Sequence, residues 1–115
     1  MIELDGAIAR YFATAKGGEE AAFLAAFAPD AVVADEGRTH RGHAEIAAWR
    51  RETSKKYRVV TTPERIETRG YEQVVTALVE GDFPKAGLPD PLRLEYRFRL
   101  ADGLILSLSI GLPRS

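Results

Sequence analysis

The chain has 115 residues, a length that predicts one domain spanning residues 1–115 with an ordinary hydrophobic core. Its 16 basic and 17 acidic residues leave a net charge of -1, which argues against nucleic-acid and anionic-membrane partners. Cysteine is absent, so a disulfide framework, a thiolate metal site and a cysteine nucleophile are excluded. The first residues lack a basic segment followed by a continuous apolar run, and no run approaches membrane-spanning length. We therefore predict a cytoplasmic protein.

Two helices are predicted in the first part of the chain. Apolar residues at helical spacing predict a helix over residues 3–16, which Gly17 and Gly18 end. A second helix, over residues 19–27, begins with two glutamates whose charge favours a helix N-terminus. Pro29 follows, and because proline disfavours helical conformation in the residue before it, the second helix must end here.

The most specific pattern in the sequence lies in residues 27–49. Residues 31–34 form a short apolar strand, and residues 35–37, Asp-Glu-Gly, are typical of a turn. Gly42 is a second point where the backbone changes direction, and a third helix is predicted over residues 43–54. This order positions an acidic side chain at the mouth of whatever cavity the strand lines.

From residue 57 to about residue 111 the apolar period changes to two, which predicts antiparallel strands. Pro63 cannot donate a backbone hydrogen bond and belongs at a sheet edge or a bulge. Asp102 and Gly103 form a strong hairpin signal. The predicted strands cover residues 57–69, 71–80, 92–100 and 104–110, with a long proline-rich loop over residues 82–91.

Three helices followed by such strands predict an α+β fold in which the helices cover one face of a twisted sheet. Strong curvature of that sheet would enclose a cavity at one end. One strand alternates clearly, with Leu92, Leu94, Tyr96, Phe98 and Leu100 facing inward and Arg93, Glu95, Arg97 and Arg99 facing outward. We expect this charged row to form a solvated face or a polar face between subunits.

The element order resembles the nuclear transport factor 2-like superfamily, the cone-shaped fold shared by SnoaL-like polyketide cyclases and ketosteroid isomerases. The resemblance covers essentially the whole chain. It is sharpest in Ala9-Arg10-Tyr11 and in residues 27–49, with the patterns F-A-x-D-A-x-x-x-D and G-x-x-x-I-A-A. It implies three N-terminal helices packed on a strongly curved antiparallel sheet that encloses a pocket.

The resemblance also implies a catalytic site. The general-base aspartate of ketosteroid isomerases falls on Asp35, and their helix-one tyrosine, which donates to the enolate oxygen, falls on Tyr11. The third member of that site falls near Tyr96, which is also a hydrogen-bond donor. The tyrosines that usually support the helix-one tyrosine map near Phe27 and Arg50, so that network is missing or rebuilt. Chemistry of this kind uses no cofactor and no metal.

Each of these residues has a simpler interpretation. Asp35 fits an ordinary turn former, and Tyr11 and Tyr96 fit core positions. His40 would orient Asp35 if the two strand ends face each other, and otherwise it is a solvated loop residue. No metal-ligand spacing is present. The candidate substrate-binding residues are Trp49, Phe27, His40 and Phe98.

Two functional hypotheses follow. The first is a small-molecule-binding protein that abstracts a proton next to a carbonyl, as an isomerase or a cyclase, with an apolar ligand. The second is a non-catalytic ligand- or protein-binding domain. A homodimer through the outer sheet face is expected with either. If Asp35 is catalytic, its pKa should lie above the ordinary value of about 3.9, because desolvation favours the neutral form; Arg38, Arg41 or Arg50 nearby would oppose this.

Overall fold

The computed structural model describes residues 4, 6–15, 18–56, 58–83 and 86–113. Predicted boundaries at residues 3, 16, 17 and 57 lie outside the described residues, as do Pro84 and Lys85 of the predicted loop. The elements are α1 (Gly6–Ala15), α2 (Glu20–Leu24), β1 (Phe27–Asp35), β2 (Arg38–Arg41), α3 (Gly42–Lys56), β3 (Arg58–Arg69), β4 (Glu72–Asp82), β5 (Leu92–Ala101) and β6 (Leu104–Gly111).

The strands form one six-stranded curved sheet in the order β2-β1-β6-β5-β4-β3. This confirms the predicted α+β class, with the helices packed on the sheet. Four of the five neighbouring pairs are antiparallel, whereas β1 and β6 are parallel. This one pair departs from the predicted antiparallel arrangement. The chain passes through α3 and four strands before β6 returns beside β1, and such a long connection permits parallel pairing.

The segment around Pro29 forms a strand earlier than predicted. Helix α2 ends at Leu24, and Phe27 already belongs to β1, so the predicted helix over residues 19–27 is too long. The backbone N–H of Ile105 donates to Ala26 O at 2.8 Å and so ties this segment to β6. Pro29 lies in the stretch of β1 where the register with β6 shifts, and a missing N–H is tolerated there.

Strand β2 was not predicted from the sequence. Glu36 and Gly37 both have positive φ, 52° and 74°, as in the tight two-residue turns that join antiparallel strands. The chain therefore folds back at once, and β2 pairs with the end of β1, with Asp35 opposite Arg38. Asp102 and Gly103 repeat this conformation and confirm the predicted β5–β6 hairpin.

Of the two alternatives expected for the charged row on β5, the solvated face is wrong at two positions. Glu95 and Arg97 are only 1% and 6% exposed, respectively. Arg69 of β3 donates to both Glu95 carboxylate oxygens at 3.2 and 3.0 Å, and Arg97 Nε donates to Glu95 Oε1 at 3.1 Å. The long arginine side chains therefore cover the outer face of the sheet and bury the carboxylate between them.

Pro63 behaves as predicted, since it lies on the edge strand β3 next to a register shift between residues 63 and 65. Among the described residues, none of the helices has the length and apolar character needed to cross a lipid bilayer.

Candidate functional site

A cavity of about 890 Å³ lies between the helices and the inner face of the sheet. Helices α1 and α3 form one wall, while β3, β4 and β5 form the other, and Phe83, Leu88 and Leu112 lie at its border. This volume is in the range of pockets that bind drug-sized ligands. Its lining is mostly apolar, and the described residues contribute three charged side chains to it, those of Asp35, Glu36 and Arg50.

Asp35 reaches the cavity from the last position of β1. The Trp49 indole Nε1–H donates to Asp35 Oδ2 at 3.1 Å, because α3 packs against β1 and carries Trp49 to the strand end. Burial raises the pKa of Asp35, while the hydrogen bond from Trp49 lowers it. Glu36 raises the pKa further and His40 lowers it. The net direction is upward, as expected from the sequence.

Two of the three arginines near Asp35 in sequence contact other groups. Arg38 lies 3.9 Å from Glu52, and Arg50 donates through Nη2 to the backbone carbonyls of Thr14 and Gly18 at 3.0 and 2.9 Å. These two side chains therefore do not lower the pKa of Asp35, an effect that the sequence left open.

Tyr11 and Tyr96 meet in the same cavity, with ring centroids 6.1 Å apart. Tyr11 projects from α1 into a cluster of aromatic rings, and no described residue hydrogen-bonds its hydroxyl. Burial raises the pKa of Tyr11 well above its ordinary value, and the charges of Tyr96 and Asp35 add to this effect. Burial also raises the pKa of Tyr96, which a hydrogen bond from Thr61 partly offsets. Both phenols therefore remain neutral donors at physiological pH.

The other predicted residues lie in different surroundings. Trp49 lines the cavity, whereas Phe27 and Phe98 are 2% and 0% exposed in the core and are not among the lining residues. The His40 ring lies 6.0 Å from the Trp49 ring, in a separate small hollow of about 30 Å³ that also includes Asp35. His40 therefore lies near Asp35 but outside the main cavity.

Sequence reasoning missed four polar residues of the cavity as site residues: Glu36, Arg50, Thr53 and Thr61. Arg50 directly follows Trp49 on α3, and Thr61 alternates inward along β3. For Arg50 and Thr61, the one signal in the sequence was that a polar residue occupies a position that the helix or strand period places toward the core.

This arrangement can bind an apolar molecule and place a carboxylate and two phenolic donors around it. A carboxylate with a raised pKa can accept a proton, and phenols can hydrogen-bond a developing oxyanion. Within the described ranges, no group of three or more histidine or acidic side chains is arranged to hold a metal ion.

Comparisons with known proteins agree with this geometry. The SnoaL-like domain family matches residues 8–108. A candidate polyketide cyclase from Sinorhizobium meliloti is 34% identical, with a TM-score of 0.84, over 94% of this chain and 95% of that one. No protein in a collection of curated functions matches the chain.

More distant solved structures share the fold. A protein with a ketosteroid isomerase-like fold from Catenulispora acidiphila, in complex with trimethylamine, is 22% identical with a TM-score of 0.76, over 95% of this chain and 86% of that one. The Δ5-3-ketosteroid isomerase of Mycobacterium sp. is 22% identical with a TM-score of 0.68, over 93% and 90% of the two chains. From the family match across most of its length, the chain belongs to the family of SnoaL-like domains.

Proposed function

We propose that this protein binds an apolar carbonyl compound in its cavity and abstracts a proton from the carbon next to the carbonyl. Asp35 is the base, and Tyr11 and Tyr96 donate hydrogen bonds to the oxygen. The observation that carries the proposal is the convergence of these three side chains on one cavity of about 890 Å³. Similarity to a candidate polyketide cyclase gives it further support.

In the proposed reaction, Asp35 takes the proton and the C–H electron pair moves into the adjacent C–C bond. The carbonyl oxygen becomes an enolate oxygen, which Tyr11 and Tyr96 stabilise. If the substrate has a C=C bond beyond the carbon that loses its proton, the enolate is a dienolate, and Asp35 returns the proton to its far carbon to give an isomer. Alternatively, the enolate carbon attacks a second carbonyl and closes a ring, and Asp35 gives its proton to the alkoxide that forms. Neither outcome consumes a cofactor.

The hydrogen bond from Trp49 supports this role because it occupies Asp35 Oδ2 and fixes the carboxylate plane. The backbone of Glu36 also hydrogen-bonds this carboxylate. A base held in this way loses little freedom in the transition state.

The proposal is tested with 2-tetralone, an apolar bicyclic ketone with acidic C–H bonds. Deuterium exchange in D₂O, followed by proton NMR, should be faster with the protein than with buffer alone. Asp35→Asn should slow this protein-dependent exchange by about 10²–10⁴-fold. The matched control is Asp30→Asn, an exposed residue on the same strand, which should leave exchange unchanged. Full exchange with Asp35→Asn would contradict the proposal.

A second candidate is a non-catalytic domain that binds a ligand without changing it. The sparse polar lining favours this alternative, since only three charged residues line the described cavity. Binding of 2-tetralone with no exchange above buffer would support it.

We further propose that the chain acts as a single cytoplasmic domain and forms a homodimer through the outer face of its sheet. Arg69 and Arg97 both donate hydrogen bonds to Glu95 on that face, so a partner would not have to neutralise them. Sedimentation at tens of micromolar should show a dimer, and a species with the mass of one chain at that concentration would contradict this.

A further inference from the structure

Arg50 is the one cation among the described residues that line the cavity. It is half-buried on α3, directly after Trp49. Two anionic residues, Asp35 and Glu36, also line the cavity, but neither hydrogen-bonds Arg50. A guanidinium in such a place needs a reason, because removing a cation from water costs free energy unless something compensates it.

No carboxylate of the described chain pairs with Arg50. Glu20 is close enough for the charge of Arg50 to help lower the pKa of the Glu20 carboxyl group. Glu20 is nevertheless taken by Arg51, whose Nε and Nη2 donate to its two oxygens at 2.7 and 2.8 Å. Arg50 therefore lines the cavity without forming an ion pair within the described residues.

The Arg50 guanidinium is also held in place. Its Nη2 donates hydrogen bonds to the carbonyl oxygens of Thr14 and Gly18. Its Cζ atom lies 5.2 Å from the centre of the Phe23 ring. The buried Nε has no hydrogen-bond partner, and Nη1 makes no hydrogen bond to a described residue. Of the five N–H donors of a guanidinium, the two on Nη1 therefore have no partner among the described residues, in a group that is already positioned.

We infer that Arg50 is the specificity-determining residue for an anionic group on the ligand, so that the substrate is an apolar carbonyl compound carrying a carboxylate or an equally acidic hydroxyl. This inference rests on the proposed function and narrows its substrate class. Asp35 and Arg50 then divide the cavity, with the reacting carbon near the carboxylate and the acidic group near the guanidinium. Hydrogen bonds between charged partners are the strongest that such a cavity can offer.

Binding of two probes of nearly equal shape tests the inference. Adamantane-1-carboxylate is anionic and adamantane-1-carboxamide is neutral, and neither absorbs where tryptophan is excited. Trp49 is the only tryptophan of the chain and lines the cavity, so its fluorescence reports occupancy directly. The wild-type protein should bind the carboxylate about 10- to 100-fold more tightly than the carboxamide.

Arg50→Gln should lose this preference and still bind the carboxamide as the wild type does. Arg50→Lys should bind the carboxylate more tightly than Arg50→Gln but less tightly than the wild type. Lysine keeps the positive charge but lacks the planar guanidinium that can donate two parallel hydrogen bonds to a carboxylate. The control is Arg93→Gln, which removes an exposed arginine that is not among the cavity-lining residues and should leave both affinities unchanged. Retained carboxamide binding also verifies that the Arg50 variants are folded.

The two proposals fail in different ways. If both probes bind the wild type equally and Arg50→Gln changes neither affinity, Arg50 only supports the carbonyls of Thr14 and Gly18, and the inference is overturned while the proposed function stands. If neither probe binds the wild type, the ligand-binding function itself is contradicted, and this inference with it.

Discussion

Replacing Tyr11 by phenylalanine removes one hydroxyl and leaves every ring contact in place. The Tyr11 ring is 4% exposed and meets those of Phe12 and Phe98 edge-on, at centroid distances of 5.1 and 5.5 Å. Phenylalanine can make the same contacts, since they involve the ring and not the oxygen. The variant therefore separates the role of the hydroxyl from the role of the ring in packing.

The expected stability change is small. No described residue hydrogen-bonds the Tyr11 hydroxyl, so its removal breaks no described bond of the protein. Burying a polar group without a partner costs about 1–3 kcal/mol, and Tyr11→Phe avoids that cost to the extent that the cavity is dry. We expect the free energy of unfolding, measured by urea denaturation, to stay within about 0.5 kcal/mol of wild type or to rise.

The expected loss of activity is large. Removing one donor to a developing oxyanion typically costs about 10²–10³ in rate, which corresponds to about 2.7–4 kcal/mol of transition-state stabilisation. Deuterium exchange into 2-tetralone should fall by this factor in Tyr11→Phe. Tyr71→Phe is the control, because Tyr71 is 88% exposed on the β3–β4 turn. Exchange at the wild-type rate would refute the proposed role of the hydroxyl, and a destabilisation of more than about 1 kcal/mol would refute the packing argument.

Three further predictions follow from charged and polar contacts. Burial raises the pKa of Asp35, so the folded protein holds this proton more tightly than the unfolded chain does. The protonated carboxyl group therefore stabilises the fold at low pH, and this contribution is lost as pH rises through the pKa of the folded state. Asp35→Asn should therefore melt above the wild type at pH 7 and level with it at pH 3; a lower melting temperature at pH 7 would contradict this. Glu95→Gln should cost about 3–5 kcal/mol in urea denaturation, because it leaves the buried Arg97 without its carboxylate, whereas Arg93→Gln at an exposed pair should cost less than about 1 kcal/mol; equal costs would show that burial is unimportant here. Trp49→Phe removes the hydrogen bond that favours the ionised Asp35, so the pH midpoint of exchange should move upward, and an unchanged midpoint would mean that the bond is absent in solution.

The overall fold could be predicted because its signals are local. Apolar periods of 3.6 and 2 distinguish helices from strands, and Asp102-Gly103 encodes its own turn geometry. The start of β1 could not be predicted in this way. Pro29 does end helical structure, but whether the preceding residues belong to a helix or to a strand depends on β6, more than 70 residues later in the chain, which pairs with Phe27.

The candidate site was predictable only in part. Asp35, Tyr11 and Tyr96 were named from a family resemblance, and their roles remain proposals. The contact of Trp49 with Asp35 depends on how α3 packs on β1, which no local pattern contains. Arg50 and Glu95 show the same limit, since the burial of a charged side chain is decided by partners that are distant in sequence.

The most direct measurement of the central claim is a comparison of two titrations on the wild-type protein. One follows the carboxyl carbon of Asp35 by NMR, assigned with Asp35→Asn, and the other follows the rate of deuterium exchange into 2-tetralone. If Asp35 is the base in a desolvated cavity, both should show one midpoint, above the ordinary aspartate value of about 3.9, with exchange increasing as the carboxylate forms. A carboxyl midpoint at or below that value, or an exchange rate that does not follow it, would contradict the account.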